Sequence, residues 1–160
     1  MITSCVFSVT CVSVSLSGPC RVSKQVVSPT ALDCPAGWSW FDRRCFMFLS
    51  NEMSWASAEK YCLQLDSHLA SYHSTGEYNF IRENIFYASG KHTQTWVGMF
   101  FQEGVWMWSD GSKFIFSNWA ASEPKNDGGV EHCMNINVGG IYYWSYTICN
   151  LIISFKCMFL

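Results

Sequence analysis

Nine cysteines in a chain of 160 residues constrain the fold more than any other feature of this sequence. Thiols at this density are unusual in a reducing cytosol unless they bind a metal, and no two of these cysteines have the C-x-x-C spacing that is typical of zinc sites. The cysteines therefore predict a set of disulfides that forms in an oxidising compartment.

Length and charge limit the organisation of the chain and its partners. One domain usually takes about 100–200 residues, so 160 residues predict one domain with at most a short appendage. Ten basic against twelve acidic residues give a formal net charge of -2, which provides no basic surface for nucleic acid. Hydrophobic residues make up 49% and aromatic residues 17%, enough to fill a core and unlike a disordered chain.

The first 33 residues differ in composition from the rest. Residues 5–16 are apolar and rich in serine, Gly18 and Pro19 follow them, and Ser17 suits a signal-peptidase site. A basic amino-terminal region is missing, so the alternatives are a buried strand or a misassigned start. The run is shorter than the roughly 20 apolar residues of a membrane helix, and we expect no membrane span.

We therefore expect a signal peptide at 1–17, a linker at 18–33 and a folded domain at 34–160 of a secreted, extracellular protein. Removal of 1–17 would leave Cys20 as an odd cysteine, which predicts a disulfide-linked dimer or a reactive thiol. The alternative is cleavage beyond residue 20.

Apolar residues at helical spacing predict two helices. The first spans 54–66, with Ser54 as its N-cap. Its apolar face is formed by Trp55, Ala58, Cys62 and Leu65. The second spans 75–87 and follows a capping box of Ser74 and Glu77. Its apolar face is formed by Tyr78, Ile81 and Ile85.

After residue 90 the sequence changes to short aromatic and β-branched runs separated by turns, which predict strands. These runs are 96–99, 106–108, 114–116, 133–138, 141–144 and 152–157. Two helices followed by many strands, without βαβ alternation, predict an α+β domain with an antiparallel sheet. The polar loop at 117–130, rich in glycine and asparagine, is expected to carry the function.

Several motifs resemble the C-type lectin-like domain. Residues 96–99, Trp-Val-Gly-Met, resemble the family's W-I-G-L motif, and residues 108–112 resemble its W-x-D-G-S turn. Trp119 precedes a Glu-Pro pair, and Glu131 stands two residues before a cysteine. The resemblance runs from 34 to 160 and is closest in texture to small fish lectins and type II antifreeze proteins. It implies a disulfide-stabilised α+β fold with two helices, antiparallel sheets and a long irregular binding loop.

The resemblance also implies a disulfide pairing, which the residues alone leave open. It pairs Cys34 with Cys45 across a hairpin near Gly37, Cys62 with Cys157, and Cys133 with Cys149. The second bond would join the first helix to the last strand, and the third would hold the base of the long loop.

In sugar-binding members of this family the loop and a late strand hold Ca²⁺, an ion that takes about 6–8 oxygen ligands. Glu123 and Glu131 occupy two of the family's ligand positions. Lys125 replaces an asparagine, and Ser145 and Tyr146 replace an Asn-Asp pair. Since lysine offers no acceptor and tyrosine no carboxylate, the two glutamates predict only a vestigial metal site, and calcium binding is doubtful.

A slip of the loop offers a way to rebuild the site, because Asn126 and Asp127 could then supply the missing oxygens. Otherwise Lys125 is expected to lie between Glu123 and Glu131 and to neutralise one of them. The alternative is that these three charges are simply solvated.

We predict a carbohydrate- or glycoprotein-binding module that uses the surface of residues 117–146. Its expected ligand-binding residues are Glu123, Lys125, Asn126, Glu131, Ser145 and Tyr146. A calcium-independent module for a protein partner and an ice-binding protein are the alternatives. No enzyme is predicted, because the sequence contains no G-x-S-x-G, H-E-x-x-H, P-loop or G-x-G-x-x-G motif. Trp119, Tyr142 and Tyr143 either pack in the core or contact the ligand.

Overall fold

The computed structural model describes residues 34–121, 123–140 and 142–159. The expected signal peptide at 1–17, the linker at 18–33 and Cys20 lie outside these residues. Within them, no helix is both long enough and apolar enough to cross a bilayer.

The described residues form two α-helices and one eight-stranded sheet. The helices are α1 (Trp55–Gln64) and α2 (Thr75–Ser89). The strands are β1 (Ser39–Phe41), β2 (Arg44–Met53), β3 (His68–Leu69), β4 (Thr95–Gln102), β5 (Val105–Trp108), β6 (Cys133–Ile136), β7 (Trp144–Thr147) and β8 (Ile153–Phe159). Two 3₁₀ turns, Asp127–Gly129 and Val138–Gly140, flank β6. The α+β class is confirmed.

The sheet is mixed, where the sequence predicted antiparallel pairing. Its strand order is β1-β2-β8-β4-β6-β7, with β3 beside β8 and β5 beside β4. The last strand, β8, runs antiparallel to β2 but parallel to β4. It thereby joins the amino-terminal hairpin to the strands that carry the long loop.

Two strand predictions and one turn prediction need correction. Residues 114–116 form no strand, because Phe114 and Phe116 pack against the core as part of an irregular segment. β7 begins at Trp144 rather than at residue 141. The hairpin of β1 and β2 turns at Asp42 and Arg43, which have φ values of 43° and 65°, and not at Gly37.

The two helices begin in different ways. Ser74 caps α2 as predicted, since its Oγ accepts the backbone N–H of Glu77 at 3.2 Å. The carboxylate of Glu77 reaches the N–H of His73, so the capping box is not reciprocal. Ser54 precedes α1 but makes no capping bond, because its hydroxyl bonds that of Ser57.

Each helix covers one face of the sheet with the apolar residues that its spacing predicted. Tyr78, Ile81 and Ile85 of α2 are fully buried. Ala58 and Cys62 of α1 are buried in a second cluster on the other side. Leu65 is 39% exposed, so the predicted apolar face of α1 ends at Cys62.

All three predicted disulfides are formed. They join Cys34 to Cys45, Cys62 to Cys157 and Cys133 to Cys149. The second ties α1 to β8 across 95 residues of sequence, and the third joins the start of β6 to Cys149, two residues beyond the end of β7. The long loop therefore leaves from and returns to a cross-linked frame.

Candidate functional site

The long loop is attached to the edge strand β7 by backbone hydrogen bonds. Trp144 N–H donates to the carbonyl of Asn118 at 3.2 Å, and Ala120 N–H donates to the carbonyl of Trp144 at 3.2 Å. Trp119 lies between these bonds and packs its ring 5.2 Å from that of Trp144. The base of the loop is thus an extension of the sheet, and the segment beyond Ala120 projects from it.

The tip of the loop folds around the side chain of Glu131. Asn126 adopts a left-handed conformation with φ 51°, and its carbonyl accepts the N–H of Gly129 at 2.9 Å. Its side-chain Oδ1 accepts the N–H of Glu131 at 3.2 Å. The carboxylate of Glu131 in turn accepts the N–H of Asp127 at 2.9 Å. Asn126 and Glu131, both predicted site residues, therefore hold the turn closed from its two ends.

Glu123 and Lys125 are separated by one residue in this loop, and their charged groups form no ion pair. The backbone N–H of Lys125 lies 3.4 Å from Glu123 Oε2, a long hydrogen bond. Among the described residues the ion pairs are Arg44–Glu77 and His68–Glu59, so the predicted neutralisation of Glu123 or Glu131 by the Lys125 ammonium is wrong. Lys125 is exposed, where water screens its charge.

Ser145 and Tyr146 lie on opposite faces of β7, because successive side chains of a strand alternate. Ser145 stands opposite Asn135 of β6. Tyr146 is 3% exposed, with its ring 4.6 Å from the ring of Trp106. The structure therefore does not bring these two predicted residues together at one surface.

Tyr146 forms part of the wall behind the loop. Burial and the negative charge of Glu131 raise the pKa of the Tyr146 phenol to about 12. Its hydroxyl is buried without a hydrogen-bond partner. Trp106 contacts both Tyr146 and Trp119, whose ring lies 4.8 Å away. The sequence predicts Trp106 only as a residue of a strand, because nothing in its spacing indicates that it lines the loop.

Asn135 is a polar residue that sequence reasoning missed. It is fully buried, and both its amide nitrogen and its amide oxygen lack partners. It lies directly opposite Ser145 and beside Trp96. An asparagine inside the apolar run 133–138 was the available signal, because such a residue is usually kept for a hydrogen bond.

Two tyrosines flank the far end of the site. Tyr142 is 37% exposed and rests on α2, where its hydroxyl bonds Asn79 and its ring lies 4.7 Å from the guanidinium of Arg82. Tyr143 is 46% exposed. Of the three aromatic residues left open by the sequence, Trp119 is therefore packed, while Tyr142 and Tyr143 present ring area to solvent.

The residues present do not fit the calcium site of the family's sugar-binding members. Tyr146 places a buried phenol where a carboxylate is expected, and the side chain of Lys125 offers no oxygen. In the ranges that the structure describes, no three or more His, Cys, Asp or Glu side chains are grouped to hold a metal ion. What the loop offers instead is three carboxylates, those of Glu123, Asp127 and Glu131, together with the amide of Asn126 and the exposed ammonium of Lys125.

A cavity of about 920 Å³ lies away from this loop. Its polar groups bond one another: Arg44 donates to Glu77 and Ser71, and Ser71 donates to Asp110. These four side chains are hydrogen-bonded to one another, whereas the Nδ1 atom of His73 in the same wall is buried without a partner.

Comparison with known proteins agrees with this architecture. The family described as Lectin C-type domain matches residues 51–159. Ladderlectin of Oncorhynchus mykiss is 43% identical over 128 residues, which cover 79% of this chain and 67% of that protein. The galactose-specific lectin nattectin of Thalassophryne nattereri is 38% identical over 138 residues, or 85% of this chain and 86% of that protein.

A solved structure is similar as well. The Ca²⁺-free form of a Ca²⁺-dependent type II antifreeze protein superposes with a TM-score of 0.74 at 30% identity, covering 79% of this chain and all (100%) of that one. The strand order, the three disulfides and the family match over 51–159 lead to one conclusion. This chain belongs to the C-type lectin domain family.

Proposed function

We propose that this chain is a secreted, extracellular lectin that binds carbohydrate or glycoprotein through the surface of residues 117–146 without a conventional calcium site. One observation carries the proposal: the loop holds Glu131 in place, because the Glu131 carboxylate accepts the Asp127 N–H and the Glu131 N–H donates to the side-chain Oδ1 of Asn126. The two fish relatives named above, one of them described as galactose-specific, support carbohydrate as the ligand class.

Hydrogen bonding replaces metal coordination in this mechanism. Carboxylate oxygens of Glu123 and Glu131 with free lone pairs accept from sugar hydroxyls, and the exposed ammonium of Lys125 donates to them. The exposed ring area of Tyr143 offers an apolar face to a pyranose. Such hydrogen bonds exchange with those of water, so each contributes only about 1 kcal/mol and the affinity is low for a single sugar.

Binding to immobilised galactose-, mannose- and lactose-bearing resins tests the proposal, with and without a chelator. We expect retention that EDTA leaves unchanged and that Glu131→Gln weakens. Glu83→Gln on the exposed side of α2 is the matched control and should leave retention unchanged. Retention that disappears with EDTA would show that the loop, by a slip that brings in Asn126 and Asp127, holds calcium after all.

Ice binding is the second candidate, favoured by the structural similarity to a type II antifreeze protein. Thermal hysteresis in dilute solution separates it from sugar binding, because a lectin without an ice-binding face gives none. Retention by none of the sugars together with no hysteresis would favour the remaining alternative, a module for a protein partner.

The proposed disulfide-linked dimer rests only on the odd number of cysteines that would remain after removal of residues 1–17, which leaves Cys20 without a partner in its own chain. Secreted material on non-reducing gels should show a band of twice the monomer mass that Cys20→Ser abolishes. A monomer band in both proteins would reject the dimer without affecting the lectin proposal.

A further inference from the structure

The chain contains two Asp-Gly pairs, Asp110-Gly111 and Asp127-Gly128, and the fold restrains them differently. An aspartate that precedes glycine reacts readily with its own backbone, because glycine has no side chain to keep its nitrogen away from the aspartate carboxyl group. The reaction requires a carboxyl group that is free to turn and a glycine nitrogen that no hydrogen bond holds. The two pairs differ in both respects.

Asp110 and Gly111 are both held by hydrogen bonds. Asp110 Oδ1 accepts the N–H and the hydroxyl of Ser112 at 2.8 Å and 2.6 Å, and its Oδ2 accepts the hydroxyl of Ser71. The N–H of Gly111 donates to the carbonyl of Trp108 at 3.0 Å. The carboxyl group therefore turns toward the Gly111 nitrogen only after these bonds break.

Asp127 and Gly128 have no such restraints, and both are exposed. Asp127 donates its N–H to Glu131, but no group of the described residues donates to its carboxylate or forms an ion pair with it. The N–H of Gly128 likewise has no acceptor within the described ranges. The φ values of Gly128 and Gly129 are 67° and 70°, and glycine populates positive and negative φ about equally, so the backbone after the aspartate rotates easily.

The turn that contains this pair fixes the position of Glu131. The carbonyl of Asn126 accepts the N–H of Gly129, and its side-chain Oδ1 accepts the N–H of Glu131. The carboxylate of Glu131 accepts the N–H of Asp127. All three hydrogen bonds span the peptide bond between Asp127 and Gly128. A change in backbone length at this bond therefore alters the whole turn.

We propose that Asp127 isomerises spontaneously to isoaspartate in the folded protein, and that this modification opens the turn around Glu131. In the first step the Gly128 nitrogen attacks Cγ of the protonated Asp127 carboxyl group. The N–Cγ bond forms, and the proton of the nitrogen leaves with the carboxyl hydroxyl as one water molecule, which produces a cyclic succinimide.

Water then adds to one of the two ring carbonyl carbons and returns a proton to the nitrogen. Cleavage of the new N–Cγ bond restores aspartate, whereas cleavage of the original bond between the nitrogen and the backbone carbonyl carbon gives isoaspartate. One water molecule leaves and one enters, so the isomerisation needs no other reactant and leaves the mass unchanged.

In the product the chain runs through Cβ and Cγ of residue 127, and the former backbone carbonyl carbon becomes a free carboxylate. This path adds one methylene to the backbone inside the turn. Glu131 thereby loses the fixed position from which it accepts sugar hydroxyls in the proposed function. That last consequence rests on the proposed function, whereas the isomerisation and the opening of the turn do not.

Peptide mapping after prolonged incubation of the folded protein in H₂¹⁸O tests the modification. Trypsin places the two Asp-Gly pairs in different peptides, residues 92–113 and 126–156. We expect an isoaspartate form of peptide 126–156 that carries one ¹⁸O atom and elutes apart from the aspartate form. Isoaspartate should form at Asp127 about 100-fold faster than at Asp110, because each of the three hydrogen bonds to the Asp110 carboxylate lowers the reactive population by about fivefold.

Asp127→Glu is the control variant, since glutamate keeps the charge and the backbone N–H but closes the larger ring far more slowly. Its peptide 126–156 should remain a single form. In reduced protein unfolded in urea, the two Asp-Gly pairs should react at similar rates, because the hydrogen bonds that protect Asp110 are gone. No isoaspartate in peptide 126–156, or equal rates at the two pairs in the folded protein, would overturn the proposal.

The opening of the turn has a separate measurement. In ¹H–¹⁵N spectra of the incubated protein, the amide resonances of Gly129 and Glu131 should shift in the fraction that contains isoaspartate, while the amide resonance of Ser112 stays in place. Unshifted resonances in that fraction would contradict the opened turn. Retention on the sugar resins should fall in proportion to the isoaspartate content, and fresh protein that no resin retains would contradict the lectin proposal alone.

Discussion

Lys156 lies in β8 with its side chain fully buried, and its ammonium donates to the amide oxygen of Asn84 on α2. An amide oxygen does not neutralise a charge, and among the described residues neither ion pair involves this lysine. Burial therefore lowers the pKa of Lys156 to about 7 from 10.5. The position of Lys156 in β8 is what buries its side chain. From the sequence alone, a lysine beside Cys157 would be expected to face water.

This shift predicts how the free energy of unfolding depends on pH. The folded pKa lies below the unfolded one, so the penalty of burying the charge is complete below about pH 7 and is relieved as the pH rises above it. We expect stability to rise above pH 7 with a slope of up to about 1.4 kcal/mol per pH unit from this group. Above about pH 10 the buried tyrosines Tyr78 and Tyr146, whose pKa is raised to about 12, act in the opposite direction.

Urea unfolding of Lys156→Met isolates the effect. The variant should be more stable than the unmodified protein at neutral pH, with a difference that shrinks toward about pH 10. Lys60→Met, on the exposed side of α1, is the control and should show no such difference. A difference between the proteins that does not vary with pH would contradict the assignment to ionisation.

Breaking the Arg44–Glu77 ion pair should destabilise the folded protein, whereas removing the buried charge of Lys156 should stabilise it. Both residues are 6% exposed, and removing one partner of a buried pair costs about 3–5 kcal/mol because the other charge stays buried and unpaired. Glu77→Gln should lower the free energy of unfolding by this amount. Glu83→Gln, an exposed glutamate of the same helix, should change it by less than about 0.5 kcal/mol.

At the scale of the element, α1 and α2 differ in how they start. Ser74→Ala removes the bond to the Glu77 N–H and should destabilise the protein by about 1 kcal/mol, measured by urea unfolding. Ser54→Ala should cost less, since the Ser54 hydroxyl caps no backbone group. Equal losses at the two serines would mean that the Ser54 hydroxyl caps α1 in solution.

The elements also show where sequence patterns reach their limit. Periodicity located both helices to within about three residues, because a face of three or four buried side chains repeats at helical spacing. Residues 114–116 have the composition of a strand but pair with no strand of the sheet. Strand formation requires a partner, and its presence depends on the rest of the chain.

At the scale of the whole molecule, the disulfides limit the unfolded chain. In the chain-entropy model the bond that closes 95 residues contributes about 4.7 kcal/mol, and the bond that closes 11 residues about 2.8 kcal/mol. We expect Cys62→Ala with Cys157→Ala to lower the midpoint of thermal unfolding more than Cys34→Ala with Cys45→Ala. Calorimetric scans of both double variants measure the order, and a reversed order would assign the stability to local packing.

The sequence by itself determined the family, the two helices, the loop that carries the candidate site and, through the resemblance, the three disulfides. These features depend on local patterns: cysteine spacing, apolar residues at helical intervals and short aromatic motifs. Tertiary structure alone decided that Tyr146 faces the ring of Trp106, that Lys125 meets Glu123 through its backbone N–H, and that the Glu131 carboxylate accepts the N–H of Asp127. Each of these contacts depends on which face of a strand or which side of a turn meets its neighbour. A shift of one residue along a strand moves its side chains to the opposite face, and a local sequence pattern does not specify that register.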